Sequence, residues 1–423
     1  MGRRAAPLLE MPSARGNTRW RVIAAGRWRM WDVLKLSVIA VVVLVFGWNV
    51  SMLSAIVHRP VSSMETPSIL RLHEATEETK TTTPPTTAPL LRVEEEKVAS
   101  VVSTAAVTPN VKKPWFLEPD WYKLETGCDF SEAVRIFDPS QLEINCDNVG
   151  QLELGEFLGQ GFWRQVFKTK WNGREVAVKV VKAKLMDRGD IIPRHVEEAA
   201  AIFGIRHEPN IVSLVGWCNT TVVVEYVPTK LDELVFDPDL EVTVHRALEL
   251  ARDAAHGLAQ LHQAPGGPFA HTDIQTRQFL VDDHGRLKLN DFNRVKYTGS
   301  CLLPGQSNMK CYSKTSVAKG KWRSPEEYLK LDIDEKADIY SLSLVLWSLR
   351  SRVKPFDNLD RETVYDQVPK GMRPDVKAME DFPQEMQDLI VRSWHHDPEK
   401  RPSSLEMAKE IDRILQNYVA AQS

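Results

Sequence analysis

The sequence changes its period once, close to Thr243, and that change limits the folds open to it. Before it, from Leu152, lie short β-rich runs: LELGEFLG, QVFKTKW, REVAVKVV, IVSLVGWC and TVVVEYV. One helical pattern interrupts them, around Arg194 to Ile205. After it, VTVHRALELARDAAHGLAQLHQ and KADIYSLSLVLWSLR repeat apolar residues at helical spacing. Strands gathered first and helices second predict an α+β domain of two lobes with a cleft between them.

The N-terminal third carries a different signal. Leu36 to Val57 holds no charge for 22 residues, which at about 1.5 Å per residue crosses a hydrocarbon core of about 30 Å. Trp28 and Trp31 stand just before it, where an interfacial belt would hold them. A cleaved signal peptide has a shorter apolar region and a small-residue cleavage site, so the run reads as an uncleaved transmembrane helix. Residues 1–35 form a basic tail ahead of it. Residues 58–113 form a Thr/Pro-rich disordered stalk, TKTTTPPTTAP at its centre, with too little apolar surface to repay its ordering. Residues 114–151 carry several aromatics and are expected to brace the domain that follows, residues 152–418.

The net charge is −3, so no nucleic-acid partner is expected. Five cysteines form no C-x-x-C pair. They are too few for a disulfide scaffold and offer no structural zinc site.

Within residues 152–418 the chemistry-bearing residues come in order. Gly159-Gln160-Gly161 opens a turn, and glycine lets backbone N–H groups approach phosphate oxygens closely. Two glycines alone usually make just a turn. Val176-Ala177-Val178-Lys179 follows. A lysine ending an apolar strand is a liability unless an anion meets it, and phosphates or a carboxylate would serve. Glu198 on the next helical segment is a fitting partner, and its neighbour Glu197 is the other. His271-Thr272-Asp273 and Asp291-Phe292-Asn293 then put two carboxylates on neighbouring loops. That pair suits phosphoryl transfer: one takes the proton of the attacking hydroxyl, the other holds Mg²⁺ on the phosphates.

Taken together, the glycine loop, the Val-Ala-Val-Lys strand, the helix Glu, the His-x-Asp, the Asp-Phe-Asn and Ser324-Pro325-Glu326 resemble the signature set of the protein kinase family in order and spacing. His207-Glu208-Pro209-Asn210-Ile211-Val212 resembles the family's segment after the first helix. Asp338-Ile339-Tyr340-Ser341 resembles the helix that braces the catalytic loop. Asp397-Pro398-Glu399-Lys400-Arg401-Pro402 resembles the closing motif, whose Arg pairs with the Glu of the Ala-Pro-Glu element. The resemblance implies a two-lobed protein kinase fold, ATP with Mg²⁺ or Mn²⁺ as cofactors, and a protein substrate. Residue by residue, it implies that Lys179 binds the α/β-phosphates and is held by Glu198. Asp273 would be the catalytic base, and Asp291 and Gln278 the metal ligands. Leu158, Val166, Ala177 and Leu280 would sandwich adenine, and Gly159 and Gly161 would cover the phosphates. Glu225 and Val227 would offer backbone hydrogen bonds, with Val224 behind as a small gatekeeper.

Several positions depart from the family's pattern. Arg164 stands in place of the third glycine, with a small expected effect. Gln278 replaces the Asn that holds the second metal, its amide oxygen one methylene further out. Asn293 replaces the Gly after Asp-Phe, and Asn tolerates left-handed geometry best among non-glycine residues. Gln275 replaces the Lys two residues after the catalytic Asp. Arg277, placed as in tyrosine kinases, would supply that charge to the γ-phosphate. Lys321-Trp322 also looks tyrosine-kinase-like. Thr272 replaces an Arg that in many kinases binds an activation-segment phosphate, so activity is expected not to need one. Lys310, Lys314 or Lys319 are the alternative source of that charge.

The expected function is a membrane-anchored protein kinase acting on Ser/Thr hydroxyls, with Tyr as the other acceptor. The alternative is a pseudokinase, a nucleotide-binding or scaffolding module. Retention of Lys179, Glu198, Asp273 and Asp291 together argues against it. A glycan kinase is a third reading, drawn from topology alone. Residues 16–35 carry five Lys or Arg and residues 58–77 carry two, which predicts a type II protein with a lumenal or extracellular kinase domain. The family's usual placement favours the alternative, a cytosol-facing domain. The sequon Asn219-Thr220-Thr221 agrees with the lumenal placement, in which Cys301 and Cys311 would close a disulfide.

Overall fold

The computed structural model describes residues 128–186, 191–300, 310–311, 313 and 320–423. The basic tail, the apolar run Leu36–Val57, the stalk and the start of the 114–151 segment lie outside the described residues. Among the described residues, no helix is long and apolar enough to cross a membrane.

A short helix, α1 (Ser131–Ile136), precedes a five-stranded antiparallel sheet. Its strands are β1 (Glu156–Gln160), β2 (Arg164–Trp171), β3 (Arg174–Val181), β4 (Leu214–Cys218) and β5 (Thr221–Glu225), in the order β1-β2-β3-β5-β4. Helix α2 (Ile191–Phe203) comes between β3 and β4. Strand β3 shows why its apolar run is unbroken. Its side chains alternate between faces, and both faces are covered. Val176, Val178 and Val180 pack with Ile144, Val149 and Leu152 from the segment before the sheet. Ala177 packs on the opposite side with the core that includes Val196 and Ala199 of α2. Lys179 therefore projects from the α2 face.

The segment from Cys128 to Gln151 is the expected brace, and it is more firmly fixed than the sequence suggests. Phe137 stacks edge-on against Phe203 of α2 at 5.5 Å and Trp217 of β4 at 5.2 Å. Ile144 pairs with Gly216 as an extra bridge on β4, through Ile144 N to Val215 O (3.2 Å) and Trp217 N to Ile144 O (3.0 Å). A Cβ on Gly216 would collide with Ile144, so this close approach requires glycine. Two disulfides pin the segment: Cys146–Cys218 to β4 and Cys128–Cys311 to the activation segment, with Cα–Cα distances of 4.9 and 5.6 Å. Cys311 therefore pairs with Cys128, not with Cys301, which lies outside the described residues. Four of the five cysteines form these cross-links, which brace the domain without making a disulfide scaffold of it.

The second lobe begins with β6 (Thr229–Lys230) and α3 (Leu231–Val235), then α4 (Val244–His262). Two small sheets follow. Strand β7 (Phe269–Ala270) pairs with β10 (Lys296–Tyr297), and β6 pairs with β8 (Phe279–Val281), which pairs with β9 (Leu287–Leu289). The remaining helices are α5 (Pro325–Tyr328), α6 (Lys336–Ser351), α7 (Arg361–Gln367), α8 (Gln384–Ser393) and α9 (Ser404–Gln422). Helix α6 is buried on every side from Ala337 to Leu349, as its lack of a polar stripe requires. Thr243 caps α4, accepting from Arg246 N at 3.2 Å, and Ser403 and Glu406 form a capping box on α9.

Candidate active site

The loop between β7 and β8 carries Asp273, and α6 sets its shape. Asp338, in the first turn of α6, accepts His271 N at 2.6 Å and Thr272 N at 2.9 Å. These bonds bend the chain tightly enough to hold Thr272 at φ 57°, a conformation a β-branched residue adopts only when its surroundings impose it. The hydroxyl of Thr272 donates to Arg294 O at 2.7 Å. Below the loop, Arg401 donates through both terminal nitrogens to Glu326, at 2.6 and 2.9 Å, and both residues are buried. This is the pairing that the closing motif implied.

Asp273 is surrounded by donors. Gln275 Nε2 reaches Oδ1 at 3.0 Å and Gln278 Nε2 reaches Oδ2 at 2.6 Å. Arg323 donates to Oδ1 and, at 2.6 Å, to the carbonyl of Thr272. Burial, the largest influence, pushes the Asp273 carboxyl up, but the Arg323 guanidinium, with His271 and Arg294, holds the group below the usual carboxylate range. Arg323 is thus the cation that pairs directly with Asp273, while Arg277 lines the cleft. The Arg277 side chain, on the 3₁₀ turn Thr276–Gln278, is 58% exposed, 3.9 Å from Asp273 and part of the cleft wall. The sequence did hold a signal for Arg323: a charged residue between Trp322 and Ser324, beside a catalytic loop that had lost its lysine. Lys310 does not take the place of the missing Arg at Thr272, since it is paired with Asp334 (2.9 Å) and Glu335 (2.7 Å). Lys314 and Lys319 lie outside the described residues.

Asp291 follows β9. It is Asp291, at φ 63°, that takes the left-handed geometry, not Asn293. Asn293 Nδ2 instead donates to Asp291 Oδ1 at 2.6 Å and steadies the carboxylate. Phe292 is buried against the ring of His271 at 5.3 Å.

The upper side of the site departs most from expectation. Lys179 is 6% exposed, and its Nζ donates to Asn290 Oδ1 at 2.9 Å rather than to Glu198. Burial lowers the Lys179 pKa, while the nearby carboxylates of Asp291 and Glu198 partly offset that effect. Glu198 is taken by Arg164, which donates to both carboxylate oxygens. Glu197, the other candidate partner, binds Lys296 and accepts Tyr297 N at 3.2 Å. A charge standing where the family has glycine, in a strand with a buried face, was the available signal for Arg164.

Lys179, Arg164, Gln278, Asn290, Asp291 and Asn293 open on one cleft of about 430 Å³, an ordinary ligand-pocket volume. Leu158, Val166, Ala177 and Leu280 line its apolar end, with Val224, Glu225 and Val227 behind. Gly159, Gly161, Lys179, Gln278 and Asp291 line the other end. A Cβ on Gly159 or Gly161 would meet nothing within 4 Å, so that backbone stays open to approach. The donor set fits a hard cation. Asp291 offers a carboxylate, and Gln278, its amide nitrogen committed to Asp273, keeps its oxygen as a ligand atom.

Residues 152–411 match the family described as protein tyrosine and serine/threonine kinase. The chain belongs to this family. Curated relatives agree over the same region. The dual specificity protein kinase shkA of Dictyostelium discoideum is 31% identical over 293 residues, covering 65% of this chain and 53% of its own length. The probable serine/threonine-protein kinase drkC of the same organism is 29% identical, with 64% of this chain and 36% of its own length covered. A putative serine/threonine-protein kinase/receptor, R831, of Acanthamoeba polyphaga mimivirus is 29% identical, over 64% of this chain and 16% of its own length. The chain thus spans about half or less of the length of these relatives.

Proposed function

We propose that this domain is an active protein kinase, transferring the γ-phosphate of ATP to a Ser or Thr hydroxyl of a protein, with Tyr as the other acceptor. The observation that carries the reading is the convergence of Lys179, Gln278 and Asp291 on one cleft whose far end is apolar, with Asp273 hydrogen-bonded to Gln278 beside it. Asp273, kept ionised beside Arg323, accepts the proton of the attacking hydroxyl. Asp291 and Gln278 would hold the divalent ion, which neutralises charge on the phosphates. Lys179 and the backbone of Gly159 and Gly161 orient those phosphates. A pseudokinase would have no need to keep this set, and no observation favours it. The names of the relatives, which include both serine/threonine and dual specificity kinases, support the choice of acceptors. Incubation of the purified chain with γ-labelled ATP, Mg²⁺ or Mn²⁺ and a mixed peptide library tests the reading. Label on Ser or Thr supports it, and bound nucleotide without any transfer overturns it.

The domain is anchored by the Leu36–Val57 span as a type II protein, with the kinase in the lumen or outside the cell. Three features support this placement. Lys and Arg are more numerous before the span than after it. Both disulfides would persist in an oxidising compartment and be reduced in the cytosol. The sequon Asn219 sits in the β4–β5 hairpin turn at φ 51°. Protease protection of sealed microsomes with a tag at each end decides it: a C-terminal tag digested without detergent places the domain in the cytosol.

A further inference from the structure

Arg164 opens strand β2, where it pairs in register with Val181 of β3. It is 4% exposed, so its guanidinium is not a surface charge above the cleft but runs inward to α2. Its Nε donates to His195 Nε2 at 3.0 Å, its Nη1 to Glu198 Oε1 at 3.0 Å, and its Nη2 to Glu198 Oε2. His195 and Glu198 lie three residues apart, on one face of α2. A planar fork spanning both oxygens of a carboxylate is a geometry that lysine cannot reproduce. Glu198, so engaged, has no call on Lys179, which turns instead to Asn290 Oδ1 at 2.9 Å, next to Asp291.

We propose that Arg164 is a positioning residue for phosphoryl transfer: it latches α2 to β2 through Glu198 and releases Lys179 from direct pairing with that carboxylate. The proposal rests on the kinase reading of the site. Three consequences follow from the arrangement. Arg164 and Glu198 neutralise each other within a buried pair, so the carboxylate makes no hydrogen bond to Lys179 and offsets less of its charge. The placement of α2 is independent of Lys179. The roof of the cleft is tied to α2 at the base of the glycine turn, where Gly161 N bonds Arg164 O at 2.9 Å.

The test is a pair of mutant cycles on the full chain. Arg164→Gln, Glu198→Gln and the double variant are compared for kcat, KM for ATP, and thermal unfolding. Each single change is expected to lower kcat on the order of tenfold to a hundredfold, the scale of a displaced catalytic group. The double variant should be no worse than either single one. Arg164→Lys, which keeps the charge but not the fork, should recover part of kcat, and it carries the cycle if Arg164→Gln fails to fold. Because Lys179→Met removes transfer, its coupling to Glu198→Gln is read on the affinity for a fluorescent ATP analogue. There the two effects should multiply. A shared effect between Lys179→Met and Glu198→Gln, with Arg164→Gln at wild-type kcat and KM, would overturn the proposal. So would an Arg164 variant that lowers the unfolding temperature while its folded fraction keeps wild-type kcat and KM. A wild-type chain that transfers no phosphate fails the kinase reading instead, and the nucleotide-affinity cycles still decide the role of Arg164.

Discussion

The lower and upper halves of the cleft hold their charged residues by different means. Below, the backbone is held. Asp338 takes two N–H groups of the catalytic loop, and Arg401 with Glu326 ties the end of the activation segment to the helices beneath. The position of Asp273 is therefore set by groups that belong to the motifs themselves. Above, side chains choose among neighbours. Lys179 and Glu198 are both in place, yet Arg164 comes between their expected partnership, and Asn290 receives the lysine. A motif anchored through backbone bonds survives substitution around it. An ion pair between long side chains is exchanged when a third charge is added nearby.

The strongest way to break this contrast is to remove one group from each half. Lys179→Met and Asp291→Asn are each expected to lower phosphoryl transfer on the order of a thousandfold or more. Neither group supports the fold, so unfolding of the nucleotide-free chain should stay within about 4 °C of wild type. A radiolabel transfer assay beside calorimetry checks both numbers. Undiminished transfer in either variant would falsify the corresponding assignment.

The next largest effect lies in the cross-links. Cys146–Cys218 fastens the brace to the upper sheet, and Cys128–Cys311 fastens it to the activation segment, across sequence separations of 72 and 183 residues. Loops of this size place each disulfide's contribution at about 2–4 kcal/mol or slightly more. Cys146→Ser and Cys128→Ser should each lower the unfolding temperature by several degrees. The Cys128→Ser loss should be the greater, since its loop is longer. Equal unfolding of all three proteins under non-reducing conditions would show that the pairs are not formed.

The legibility of the site follows the same division. Asp273 and Asp291 could be placed from the sequence because their motifs fix the backbone, and the Arg401–Glu326 pair because two motifs carry its members. Arg323 is harder to place, because its partner Asp273 lies 50 residues away, and Arg277, nearer in sequence, carries the same charge at the cleft wall. Cysteine connectivity is not contained in a sequence. Cys301 is near Cys311 along the chain, while Cys128, the partner of Cys311, lies 183 residues away from it in the segment before the sheet. The uninterrupted apolar run of β3 did hint at that segment, since a strand with valines on one face and Ala177 on the other needs cover on both.

Arg323 sharpens the contrast by a pH measurement. Burial raises the Asp273 carboxyl, and the charge and hydrogen bond of Arg323, the leading lowering influence, together with His271 and Arg294 more than offset it. Arg323→Gln removes that leading influence and leaves the burial, so the carboxyl becomes easier to protonate. The acid limb of the kcat profile should then move to higher pH, because the base is lost at less acidic conditions. At neutral pH the loss should be about tenfold, the scale of one hydrogen bond to a charged group. The folded state should show the same sign. Stability that Asp273 contributes through its lowered pKa is present above the unfolded value and disappears as pH falls through the folded one. In Arg323→Gln that acid loss should begin at higher pH. An acid limb unchanged by the substitution would assign the charge on Asp273 to another residue.

The smallest expected effect is in metal preference, and it tests how finely the lower half is held. Gln278 Nε2 is bound to Asp273 Oδ2 at 2.6 Å, so the amide is fixed at one end and its oxygen stands one methylene further from the backbone than an Asn oxygen would. Mg²⁺ requires near-ideal octahedral geometry at about 2.0–2.1 Å and tolerates misplacement poorly. The larger Mn²⁺ ion accepts carboxylate and carbonyl oxygens with less strain. Wild type should therefore work faster with Mn²⁺ than with Mg²⁺, and Gln278→Asn should shift the ratio toward Mg²⁺ by roughly threefold or more. The substitution also shortens the arm to Asp273, so some loss of kcat with both metals is expected, and the ratio of rates is the informative quantity. Identical ratios for the two proteins would mean that the longer side chain has already found the Asn position by folding back. The lower half of the cleft would then be as adaptable in its side chains as the upper.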